Sequence, residues 1–282
     1  MRRMVAVSLL WVVLGWSAAA VVPARGAEAA PSAPTEVVII GTLHQFHDQN
    51  ANYGPEEVRR ILVSLHPSVI CVELYSKFFT ESGDLVESIL EDRSCPEIAA
   101  TNQAAKQLEV KQVPFDREGR NEFYVETKYF ERLRRMNELW NQAVQIAAKA
   151  DPDDAEVKSA VLLGEAGAAQ EALSMYAPPE VINSEGFDGV IRMKRGLEEL
   201  NDVLLAKRPG TEELTRESAF FKDEWAKRNG IMADNIARVA AGFHGKRIAV
   251  VTGAEHRGEL RKLLAGRPGI VVKEFWEVAP RE

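Results

Sequence analysis

The sequence predicts an α/β protein built on a mainly parallel sheet, and three observations carry that expectation. Short apolar runs rich in β-branched residues, at 36–40, 68–74, 110–116, 247–252 and 269–275, alternate with amphipathic helical stretches, the pattern of a sheet covered on both faces. Two of those runs end in the same Gly-x-x-His. Between about 122 and 243 the hydrophobic period is helical throughout, which predicts a long helical insertion inside the α/β frame.

Taken in order, Glu36-Val37-Val38-Ile39-Ile40 is a continuous apolar strand stopped by Gly41. Pro55-Glu56-Glu57 opens a helix, with proline at its first position and acids near the positive end of its dipole. Val58, Ile61, Leu62 and Leu65 supply its apolar face, and His66-Pro67 ends it. Ser68-Val69-Ile70-Cys71-Val72-Glu73-Leu74 is the second strand, so this strand–helix–strand unit predicts parallel neighbours. A helical stretch over 83–107 leads to a third strand, which Pro114 shortens or confines to a place where no backbone donor is needed. The insertion divides into patterns at 123–150, 154–176, 181–206 and 211–243, punctuated by Pro178-Pro179 and Pro209-Gly210. A strand at 247–252, a helix at 256–264 and a strand at 269–275 close a single domain spanning 37–282.

The chain has 282 residues, 46% hydrophobic and 27% charged, enough for a substantial core. Its formal charge is -7 and no basic stripe follows the first residues, which excludes a nucleic-acid binder of the usual kind. Arg2-Arg3, an apolar stretch to about Val22 and the small-x-small steps Ala24-Arg25-Gly26 and Ala27-Glu28-Ala29 predict a signal peptide with its cleavage region over 1–29. An uncleaved anchor is the alternative. Either implies export to a periplasm or the exterior, with residues 30–36 as linker. Cys71 and Cys95 then have two readings, a disulfide permitted by export or free thiols, since Cys71 falls in a buried strand.

Ligands in open parallel sheets bind beyond the carboxyl ends of the strands. His44, Glu73, Asp116 and His256 all fall there. Two imidazoles and two carboxylates at one edge suit either a divalent metal (Mn, Co or Zn) or acid/base chemistry. His47 joins them if its segment turns helically. Glu73 interrupts an apolar strand, and a buried carboxylate requires a partner. Arg228, on the last long helix beside Phe220, Phe221, Trp225, Met232 and Ile236, is a surface charge or reaches the strand edge to bind an anion or Glu73.

Gly41-Thr42-Leu43-His44, the strand ending in Glu73, Arg228-Asn229 with Met232 and Ile236, and Gly253-Ala254-Glu255-His256 together resemble the motif set of the TraB/Tiki superfamily, which takes in GumN-like, ChaN-like and erythromycin-esterase-like proteins. The motifs keep that order and span about 37–275. Phe115-Asp116-Arg117 departs from the GumN-like pattern, where a Leu-Glu-Thr-like segment is expected. The resemblance implies a compact α/β core with a cleft built from these positions and gives a site without fixing one reaction; the leading expectation is a hydrolase. In its metal-dependent form, of the Tiki protease type, His44, His256, Glu73 and Asp116 would hold the ion and Arg228 would stabilise developing charge on a peptide or ester. In the esterase-like form a histidine and Glu73 act without metal. A ChaN-like chain would bind haem or another small ligand without turnover, and a scaffold would tie Glu73 to Arg228. Tyr124, Tyr129, Phe130, Trp140 and Tyr176 are candidate liners of a lid formed by the insertion.

Overall fold

The structure is a computed structural model and describes residues 33–278. The segment expected to direct export, and residues 30–32 of the linker, lie outside the described residues. The strands are β1 (Thr35–Thr42), β2 (Val69–Val72), β3 (Lys111–Pro114), β4 (Arg247–Gly253) and β5 (Ile270–Lys273). The helices before the insertion are α1 (Pro55–Leu65), α2 (Glu87–Leu90) and α3 (Pro96–Leu108). The insertion carries α4 (Arg120–Glu126), α5 (Tyr129–Ala150), α6 (Ala155–Tyr176), α7 (Pro179–Ile182), α8 (Glu185–Leu205) and α9 (Glu212–Ala240). The final helices are α10 (Ala254–Leu264) and α11 (Phe275–Val278). Among the described residues no helix is long and apolar enough to cross a membrane.

All pairings in the five-stranded sheet are parallel, in the order β3-β2-β4-β1-β5. This corrects the expectation that β1 and β2 are neighbours: β4 lies between them. The connection through α1 is long enough to pass over two strand spacings, about 10 Å, and leave a slot between. The slot is filled when the chain returns from the insertion. Ile248, Ala249, Val250 and Val251 are all buried there, as a strand flanked on both edges and covered on both faces must be. Pro114 ends β3 at the outer edge of the sheet, where a missing donor costs least.

Alternation along the strands sorts the core into two layers. Val38, Ile40, Ile70, Val72, Ala249 and Val251 face α1 and α3. Val37, Ile39, Val69, Cys71, Ile248 and Val250 face Met232, Ala233 and Ile236 of α9 and Leu260 and Leu264 of α10. The helical stretch expected over 83–107 is two helices, broken where Cys95-Pro96 restarts the chain as the cap and first residue of α3. The helix expected at 256–264 begins two residues earlier, directly from β4. His256 therefore sits in a helical first turn and not in a loop. Arg257 on α10 is fully buried and is held by Asp188 of α8 and by Glu274 after β5.

Candidate functional site

Because β4 pairs with β1, Gly41 lies opposite Thr252 and Thr42 opposite Gly253, so both Gly-x-x-His motifs leave the sheet at one edge. Each glycine makes room for the other motif. A Cβ on Gly41 would stand 3.0 Å from the Ala254 Cα, on the helix that carries His256. A Cβ on Gly253 would stand 2.6 Å from His44 Nε2, well inside van der Waals contact with the ring. The repeated glycine is thus a requirement of close approach, and it locks the two motifs to one another.

His44 enters a short 3₁₀ turn, His44–Asp48, with a φ of +51°, a left-handed conformation that costs a residue with a Cβ on the order of 1 kcal/mol. Its Nδ1 lies 2.7 Å from Oε1 of Glu97, whose side chain is buried, and 3.9 Å from Cys95 Sγ. Nε2 makes no hydrogen bond to the described residues, and 41% of the side chain is exposed. Burial works against the charged imidazole, but hydrogen bonding to Cys95 and Glu97 and the charges of Glu97 and Glu73 raise its pKa to about 11. His47 also lies in this turn, but it is structural: its Nε2 accepts from the Leu43 N–H and its Nδ1 donates to the Tyr53 carbonyl.

The other expected residues converge on Arg228. Its Nε and Nη2 grip Asp116 through both carboxylate oxygens at 2.9 Å, and Nη2 also donates to Glu73 Oε1 at 2.6 Å. Nη1 lies 3.0 Å from His256 Nε2. The His256 tautomer follows from its neighbours. Asn229 gives its amide N–H to the Trp225 carbonyl, so Asn229 Oδ1 accepts from His256 Nδ1–H at 2.8 Å, and Nε2 is left to accept from Arg228. His256 is therefore neutral. Burial, reinforced by the Arg228 charge, lowers its pKa to about 4. Trp225 stacks on its ring at 4.3 Å between centroids. Burial opposes ionisation of Glu73, yet the Arg228 and His44 charges and the Thr252 hydroxyl hold its carboxyl far below the usual range.

This wiring bears on the metal expected at His44, His256, Glu73 and Asp116. Asp116 accepts from Arg228 twice, from the Arg117 N–H and from Arg120, which uses both lone pairs on each oxygen. Glu73 Oε2 accepts from Thr252 Oγ1 and the Gly253 N–H. The lone pair of His256 faces a guanidinium. A cation among Glu73, Asp116 and His256 would stand where Arg228 already supplies the positive charge, so these three residues do not fit a metal in this arrangement. The free acceptor capacity lies on the other side, where Glu97 Oε2 is buried without a partner beside His44 and Cys95.

No family model, curated protein or solved structure matches the chain.

The likeness to the TraB/Tiki superfamily thus rests on the four short motifs. The insertion reaches the site through the last of them, Gly253–His256. Glu255, between Ala254 and His256, is held by Gln170 of α6 and by Lys194 and Arg195 of α8, and the Arg195 guanidinium lies over Trp225. Tyr124, Tyr129 and Phe130 form one aromatic cluster with Phe123, Phe220 and Phe221, whereas Tyr176 is largely exposed. Both cysteines are free: Cys71 is buried in β2, its thiol pushed up to about 12 by burial, and Cys95 is half-buried beside His44. Sequence reasoning missed Glu97 and Cys95. An acid in the first turn of a helix ordinarily reads as a solvated partner of the dipole; the signal was Glu97 lying beside Ile98, Thr101 and Ala105 on the buried side of α3.

Proposed function

We propose that the chain is a metal-free hydrolase of esters, in which the His44–Glu97 pair moves the proton and Arg228 meets the developing negative charge. The observation that supports this most is the geometry of His44: one ring nitrogen is anchored on a buried carboxylate and the other is open at the strand ends. That is the base-and-orienter arrangement of acyl-transfer sites. In this reading the free-base Nε2 takes a proton from water as the oxygen adds to the carbonyl carbon. The imidazolium, stabilised by Glu97, then returns the proton to the leaving alkoxide. Arg228 has five N–H donors and spends four of them on Asp116, Glu73 and His256. The fifth is available to an oxyanion. Asp116, Glu73 and His256 act as positioning residues that hold the guanidinium still.

The test is a panel of nitrophenyl and aliphatic esters, with peptides beside them, assayed with and without a chelator. Ester hydrolysis should survive the chelator and fall at least 100-fold in His44→Ala. The base form of a histidine with its pKa near 11 grows with pH, so the rate should climb through the alkaline range. Glu97→Gln should move that rising limb down toward the ordinary histidine value, near 6.5. Hydrolysis that needs an added metal, or that is indifferent to His44, sinks the proposal.

A second reading, a non-catalytic scaffold, is favoured by the closed wiring of Glu73, Asp116, Arg228 and His256, in which nearly every polar atom already has a partner in the protein. A chain with no turnover on any ester or peptide, and no change in stability on adding them, would be that scaffold.

A further inference from the structure

We infer that His44, Cys95 and Glu97 form a zinc site whose occupancy arrests the His44–Glu97 pair. The regulatory half of this inference rests on the proposed hydrolase; the site itself does not. One donor atom from each of the three residues lies within 4.8 Å of the other two. His44 Nδ1 is 3.9 Å from Cys95 Sγ and 2.7 Å from Glu97 Oε1. Around a tetrahedral zinc, with Zn–S near 2.3 Å and Zn–N and Zn–O near 2.0–2.1 Å, those separations become about 3.6 and 3.3 Å. The site therefore needs the sulfur to close slightly and the carboxylate to withdraw by about half an ångström.

A second, independent observation points the same way. Glu97 is buried and its Oε2 has no hydrogen-bond partner, a costly state for a carboxylate oxygen that a cation would relieve. The ligands come from two rigid places. Cys95 and Glu97 bracket Pro96 at the start of α3, and His44 is held by its turn over Gly253. Ser94 Oγ lies 3.7 Å from the sulfur as an outer donor. A thiolate, an imidazole and one carboxylate select zinc over magnesium, calcium or manganese.

The consequence for His44 follows from its two nitrogens. Zinc on Nδ1 displaces the proton shared with Glu97 and requires loss of the thiol proton from Cys95. A neutral imidazole bound through Nδ1 carries its remaining proton on Nε2. Nε2 then has no lone pair with which to take a proton from water, so the bound form is inactive until zinc leaves.

The test uses the full chain, stripped of metal and titrated with zinc chloride by calorimetry and elemental mass spectrometry. The parent should bind one equivalent. Cys95→Ser should weaken binding at least 100-fold while its ester hydrolysis, unlike the parent's, resists stoichiometric zinc. Cobalt substitution gives a readout that needs no activity: a thiolate-to-cobalt charge-transfer band in the parent, absent in Cys95→Ser. A parent that binds no zinc, or a Cys95→Ser chain that binds it as tightly and with no band lost, overturns the site. A site confirmed in a chain without esterase activity overturns the proposed function alone. Zinc bound through Cys95 with hydrolysis undiminished overturns the regulatory half.

Discussion

At the scale of single residues, two glycines do more for this edge than either histidine. Gly253 has an ordinary φ, so the backbone does not demand glycine there; the His44 ring does. An added methyl would stand 2.6 Å from Nε2 and drive the imidazole off its left-handed perch and away from Glu97. Gly253→Ala should therefore fold and lose at least ten-fold in ester hydrolysis, with its alkaline rate limb shifted as in Glu97→Gln. Circular dichroism and a pH–rate series on the same preparation check this; an unshifted limb would show that His44 is not held by that contact. Gly41 is different. Its Cβ would press on the Ala254 backbone, which cannot rotate aside as a side chain can, so substitution there loosens the seam between β1 and α10.

Between elements, the Arg228 guanidinium is the joint that fastens α9 to the ends of β2 and β3. Asp116 has no solvent-exposed side-chain surface and Glu73 is nearly buried, so removing the cation leaves two carboxylates without compensation. Arg228→Ala should cost about 3–5 kcal/mol in urea unfolding. Arg228→Met with Glu73→Gln and Asp116→Asn should recover most of that loss, because neutral groups of similar shape carry no stranded charge. A triple variant as unstable as the single one would mean that packing, and not charge, holds the joint. His256 belongs to the same joint through Asn229 and Trp225, which is why its place in a sequence motif does not make it a base.

For the whole molecule, the two motif histidines pull the pH dependence of stability in opposite directions. His44 has a folded pKa raised above its unfolded value, so its contribution is complete below about pH 6.5 and is lost as pH rises toward about 11. His256 has a folded pKa lowered to about 4, so between that value and about 6.5 only the unfolded chain takes up the proton, and stability falls as pH drops through that window. For this buried ring the loss is on the order of 3 kcal/mol. The denaturation midpoint should peak near neutrality. His44→Ala should flatten the alkaline side alone, and a His256→Asn chain the acid side alone. An alkaline limb unchanged in His44→Ala would remove the ion pair with Glu97 from the account.

Much of this was legible in the sequence because it depends on local periodicity. Continuous β-branched runs announced five strands, helical spacing announced α1 and the insertion, and strand-end polar residues announced His44, Glu73, Asp116 and His256. Arg228 was legible as a cation able to reach Glu73. What tertiary structure alone decided is who neighbours whom. Periodicity carries no information on strand order, and the insertion of β4 between β1 and β2 is what places Gly253 under His44 and Thr252 beside Glu73. Glu97 lies 53 residues from His44, so nothing local marks it as the partner. The division of the edge into a closed knot around Arg228 and an open imidazole at His44 is likewise a matter of which acceptor each donor reaches. Residue type sets which atoms are able to bond; only the folded chain sets the distances at which they do.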